Sequence, residues 1–90
     1  MNRDTKFIKR GWLNEPDSPS TGMVVAYDGE LQDYDKQPYH STFLRVSDCH
    51  VSVNLHKASY DTELEFIDKM KRIRGVLDEF INHLESKYND

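Results

Sequence analysis

One cysteine, Cys49, is all that the 90-residue chain carries, so no internal disulfide can form and nothing signals an oxidising compartment. The four glycines are scattered, which excludes a glycine-rich phosphate loop. No apolar run is long enough to span a bilayer, and Met1 to Arg10 is charged throughout, so neither a membrane anchor nor a signal peptide is expected. The composition reads as a cytoplasmic protein. No zinc spacing occurs: His50 and His56 are six residues apart, roughly 20 Å along a strand at ~3.3 Å per residue, and cannot chelate one ion. Asp28, Asp33 and Asp35 do not make a calcium loop, because the glycine falls second in that run rather than sixth. Nothing resembles a nucleophile elbow; Asp48 and His50 are the best ingredients for a small hydrolase. No metal and no cofactor are expected, and the chain is read as a non-enzyme.

What is present is enough for one small domain over residues 1–90, with ten aromatics arguing against disorder. The net charge of −4 is unevenly spread. Residues 11–68 hold eleven acids against Lys36, Arg45 and Lys57, a balance of 3 − 11 = −8. Bases collect at Arg3, Lys6, Lys9 and Arg10, and again at Lys69, Lys71, Arg72 and Arg74. Such polarity steers association with charged partners or serves as an ordinary solvated surface.

The last third organises the chain. Phe66, Met70, Ile73, Leu77, Phe80 and Leu84 alternate at spacings of four and three, the seam of an amphipathic helix over residues 62–88. Leu64, Ile67, Val76, Ile81 and Tyr88 widen that seam into a stripe suited to a core. Thr62 with Glu65 three residues on is a capping-box signature. Gly75 inside the helix costs about 1 kcal/mol relative to alanine.

Residues 6–57 read as short strands and loops. Lys6–Leu13 is a strand, and the proline-bearing Asn14–Thr21 a loop. Gly22–Tyr27 is a strand followed by Asp28-Gly29, a hairpin signal that pairs Tyr27 with Glu30 and sends Glu30–Tyr34 back as an edge. In Thr42–Lys57 the apolar phase switches between Leu44/Val46 and Cys49/Val51/Val53/Leu55. A two-residue turn at Ser47-Asp48 puts all six on one face; a bulge near Asp48 is the alternative. The expected architecture is α+β: an antiparallel sheet of three to five strands, then one long C-terminal helix packed on one face.

Three binding surfaces follow from this layout. The acidic, tyrosine-bearing segment with Tyr27, Asp28, Glu30, Asp33, Tyr34, Asp35 and Tyr39 suits a protein partner with a basic surface, such as a nucleic-acid channel that it occludes. Its bland alternative is a solvated loop whose tyrosines lie back on the core. In size and acidic balance alone, the chain is similar to the small inhibitors that phages use against host defence, anti-CRISPR proteins among them. The basic helix residues Lys69, Lys71, Arg72 and Arg74, with Lys6, Lys9 and Arg10, form the alternative, a phosphate-contacting patch. A pI near 5.5 and the flanking Asp68, Asp78 and Glu79 oppose it. Finally, a helix of roughly 40 Å outruns strands of roughly 20–23 Å. Leu77, Phe80, Ile81, Leu84 and Tyr88 are therefore expected to cover one another in a homodimer, or to dock the partner.

Overall fold

A computed structural model describes residues 5–32, 34 and 37–89. Four strands, β1 (Thr5–Trp12), β2 (Gly22–Leu31), β3 (Tyr39–Asp48) and β4 (Val51–His56), precede one helix, α1 (Glu63–Tyr88). The strands form an antiparallel meander in the order β1-β2-β3-β4, so the fold is α+β as expected. The sheet lies in one compact unit, Met1–Lys57, and the helix in a second, Ala58–Asp90.

In the sheet, alternation sends neighbouring side chains to opposite faces. One face is aliphatic at its centre. Leu44 stands opposite Leu55 and Val46 opposite Val53, with Ala26 and Val24 beside them on β2. The other face carries Tyr27, Phe43, Arg10 and Arg45. Lys6 is the extra residue of a bulge, since Thr5 pairs with Gly29 and Phe7 with Asp28.

Two turns differ from the sequence expectation. Asp28-Gly29 does not reverse the chain; β2 runs through it to Leu31, and Glu30 pairs with His40 on β3. A two-residue primed turn of the Asp-Gly kind needs left-handed backbone at both positions. Neither Asp28 nor Gly29 has a positive φ, and the Asp28 carboxylate accepts from Thr42 Oγ1 across the ladder at 2.8 Å. β2 ends at Leu31 and the next strand, β3, begins at Tyr39, and β2 is a central strand between β1 and β3.

The second turn is displaced by two residues, from Ser47-Asp48 to Cys49-His50, closed by the Asp48–Val51 pair. Cys49, the first residue of this turn, takes φ 53°, whereas His50 has no positive φ, so the turn differs from the Asp-Gly kind, which needs left-handed backbone at both positions. A displacement of two preserves the alternation, so Leu44, Val46, Val51, Val53 and Leu55 still share a face. The register gives Leu55 a cross-strand partner in Leu44 and moves Cys49 off that face to an exposed turn.

The β1–β2 connection is closed by Leu13 N–H to the Gly22 carbonyl at 2.9 Å and by Gly22 N–H to Asn14 Oδ1 at 2.8 Å. Gly22 is buried there, and a Cβ on it would stand 3.1 Å from Leu13 and Asn14 atoms.

The helix begins where its cap predicts. Glu65 N–H donates to Thr62 Oγ1 at 3.1 Å, and Thr62 N–H donates to Glu65 Oε1 at 3.3 Å, a complete capping box. Its 26 residues span about 39 Å. The ten-residue strands β2 and β3 reach about 33 Å, longer than the sequence suggested, because each continues through polar ends.

Candidate binding surface on the sheet

The face with Tyr27 is organised in rows, because the register places residues of all four strands side by side. Ile8, Tyr27, Phe43 and His56 form one row. Tyr27 stacks on Phe43 with ring centroids 5.5 Å apart and planes inclined by 23°. Phe43 meets His56 at 5.7 Å. Three rings thus line up across β2, β3 and β4.

The adjacent row is Arg10, Val25, Arg45 and Asn54. The Arg45 guanidinium lies 5.2 Å from the Phe43 ring centroid, within cation–π range, and its Nε donates to Asn54 Oδ1 at 2.6 Å. Trp12, 74% exposed, begins the row beyond, opposite Met23. An open groove of about 440 Å³ runs between Arg10, Met23, Tyr27, Phe43 and Arg45. The Tyr27 hydroxyl donates to the Glu30 carbonyl at 2.6 Å, which fixes the ring at the groove wall.

Charge is segregated between the faces. Asp28, Glu30 and Asp48 all fall on the aliphatic side of the alternation, so among the described strand residues the aromatic face has no acid. Its charged side chains are Arg10 and Arg45. The loop acid Glu15 lines a separate recess with Trp12 and Pro16.

The opposite face ends in a polar cluster. Asp28 Oδ1 accepts from Thr42 Oγ1 at 2.8 Å and lies 2.7 Å from His40 Nε2. The Thr42 hydrogen bond, seconded by His40 and the charge of Lys6, holds the Asp28 carboxyl below its ordinary 3.8 against a smaller opposing effect of burial.

The structure divides the acidic, tyrosine-bearing segment. Tyr27 and Tyr39 belong to the aromatic face, Asp28 and Glu30 to the opposite one. Tyr34 is 91% exposed in the connection, while Asp33 and Asp35 lie outside the described residues. Lys69, Lys71, Arg72 and Arg74 are exposed on α1. Arg72 Nε donates to Asp68 at 2.8 Å, which keeps the guanidinium above its ordinary pKa, and Lys69 Nζ stands 6.0 Å over the Phe66 ring. Asp48 is exposed at the end of β3, and His50 is exposed within the β3–β4 turn. Among the described residues no three His, Cys, Asp or Glu side chains group in a way that could hold a metal ion, and no helix is long and apolar enough to cross a membrane.

The chain matches no protein-family model, no curated protein and no solved structure.

The aromatic–arginine surface is absent from a linear reading. Phe43 and Arg45 were visible as alternate residues of one strand. Their union with Tyr27, Arg10 and His56 depends on registers between segments far apart in sequence. The available signal was the alternation F-x-R on β3 beside N-x-H on β4, which a correct turn placement would have aligned.

Proposed function

We propose that the protein is a non-catalytic binding module that engages an anionic macromolecule through the aromatic–arginine face of its sheet. The segregation of charge carries this reading. A chain of net charge −4 keeps its described strand acids off the one face that combines Arg10, Arg45 and three aligned rings. Cation-flanked aromatics are the composition of contact surfaces, whereas a solvated face would intersperse both signs. An acidic contact surface for a basic protein is less well supported, because its acids and tyrosines divide between two faces.

The test is a low-salt binding titration against heparin, a single-stranded oligonucleotide, poly-glutamate and anionic vesicles. At least one should bind, and the pair Arg10→Glu with Arg45→Glu should weaken it tenfold or more. Failure of all four to bind would remove the proposal.

A second reading concerns assembly. Leu77, Phe80, Ile81 and Leu84 are between 42% and 55% exposed, and Tyr88 is 89% exposed, along the apolar stripe of α1. A second copy of the helix supplies matching apolar surface, so we infer a homodimer through this half. Light scattering at micromolar concentration should give twice the chain mass, reduced to a monomer by Leu77→Lys with Leu84→Lys.

A further inference from the structure

Resting on the homodimer reading, we propose that a second copy of the chain also pairs with the free edge of β4, antiparallel and two-fold about Asn54. Two four-strand sheets then join into one of eight, and their arginine rows into one.

β1 and β4 are the two edges of the sheet. An edge presents unpaired N–H and C=O groups to any other strand, and folded proteins blunt it with charge, proline or a bulge. β1 has that protection in the bulge at Lys6 and in Lys9 and Arg10. β4 has no acid, lysine, arginine or proline, and its pairing with β3 runs without a bulge. Its Val51 and Val53 are 67% and 54% exposed. One edge is guarded and the other is open.

The groups that β4 leaves free follow from its ladder. Lys57 N–H donates to the Thr42 carbonyl at 2.9 Å, so these two are a hydrogen-bonded pair. Alternation then turns the backbone groups of Val51, Val53 and Leu55 toward β3 and those of Ser52, Asn54 and His56 outward. A second β4 matches this pattern. A two-fold axis at Asn54 sets it opposite the partner's Asn54, and Ser52 opposite the partner's His56, each pair exchanging two hydrogen bonds. All three outward residues are used, and no like charges face each other. On the aliphatic side Leu44 and Leu55 continue into the partner's Val53 and Val46 as one row. Such a contact is isologous and closes at two copies, whereas pairing of unlike edges would propagate.

Asn54 lies in the arginine row, so that row runs on through the axis. Arg10, Val25, Arg45 and Asn54 are followed by the partner's Asn54, Arg45, Val25 and Arg10. The axis is perpendicular to the sheet, which keeps both aromatic faces on one side. The two copies of Arg45 stand three strand steps apart, about 14 Å, and those of Arg10 about 34 Å. A short anion meets two cations; a long polyanion meets four. The ends of the two β4 strands lie about 13 Å apart along the strand direction. Six residues, 57–62, lead from each to its helix, a reach of about 20 Å, so both helices can meet. The helix contact holds the edges at high effective concentration, which a six-residue strand needs.

The experiment uses the full chain with Cys49→Ser, so that introduced cysteines are the only thiols. Asn54→Cys places two thiols at the axis, where the Cα atoms of a hydrogen-bonded pair stand about 5.5 Å apart, within disulfide range. Lys9→Cys on β1 is the control. Expected are a disulfide-linked dimer on mild oxidation with Asn54→Cys and almost none with Lys9→Cys. Ser52→Pro removes an outward N–H that β3 does not use, and circular dichroism confirms that it folds. It should raise the dimer dissociation constant at least tenfold in analytical ultracentrifugation, and weaken heparin binding at least fivefold although both arginines remain. A dimer that Ser52→Pro leaves intact, with no cross-link at Asn54→Cys, overturns the β4 pairing and leaves the helix contact standing. A dimer that survives Leu77→Lys with Leu84→Lys but not Ser52→Pro supports the pairing and overturns the helix contact. Cross-linking at Lys9→Cys instead overturns it in favour of the β1 edge. Equal heparin affinity in Ser52→Pro overturns the shared arginine row. A native chain that is monomeric at micromolar concentration overturns pairing and helix contact together.

Discussion

Tyr27 and Phe43 stack across β2 and β3 with 5.5 Å between ring centroids, although 16 residues separate them in the chain. This contact joins the two central strands and forms the middle of the proposed binding face.

Aromatic pairs of this geometry contribute about 0.5–1.5 kcal/mol beyond their area. A double-mutant cycle with Tyr27→Ala and Phe43→Ala, followed by urea unfolding, should give a coupling energy in that range. Additive effects of the two substitutions would show that the rings do not depend on each other.

Asp28 should confer acid sensitivity. Its carboxyl is held below 3.8 by Thr42, His40 and Lys6. A carboxyl with a lowered folded pKa contributes stability above its unfolded value and loses it as pH falls through the folded value. Asp28→Asn should therefore be less stable than the native chain at pH 7, and the difference should shrink as pH falls below about 4. A difference that stays constant from pH 7 to pH 2 in denaturant titrations would contradict this.

Cys49 occupies left-handed backbone at φ 53° in the β3–β4 turn. Such backbone costs a non-glycine residue about 1–2 kcal/mol, and asparagine or glycine less. Cys49→Gly and Cys49→Asn should raise the unfolding midpoint, whereas Cys49→Val should lower it. The exposed thiol should also react stoichiometrically with a maleimide without denaturant.

The helix offers two opposed substitutions. Thr62→Ala deletes half of the capping box and should destabilise α1 by about 1 kcal/mol. Gly75 is exposed, and beyond its chain neighbours and the adjoining turns of helix backbone no atom lies within 4 Å of a Cβ added there. Gly75→Ala should stabilise by about 0.5–1 kcal/mol. Circular dichroism at 222 nm during thermal unfolding reads both; a loss of helicity with Gly75→Ala would mean that the open space is occupied in solution.

Local chemistry alone determined much of this protein. The helix, its stripe and its first residue were legible because side chains three and four apart, and a cap that reaches three residues, are neighbours in sequence. The shared face of Leu44, Val46, Val51, Val53 and Leu55 was legible too, since alternation is a local property and survived a two-residue displacement of the turn.

Tertiary structure decided where the chain reverses and which side chains meet. Asp28-Gly29 has the composition of a turn, yet pairing with Thr42 and Ser41 keeps it extended within β2. Cross-strand ladders outweighed a two-residue preference because each added pair satisfies backbone groups that a turn would leave to water. The rows that join Arg10 to Arg45, and Tyr27 to Phe43 and His56, follow from three inter-strand registers at once. Composition and local spacing determine each residue's face; only the assembled sheet makes those residues neighbours.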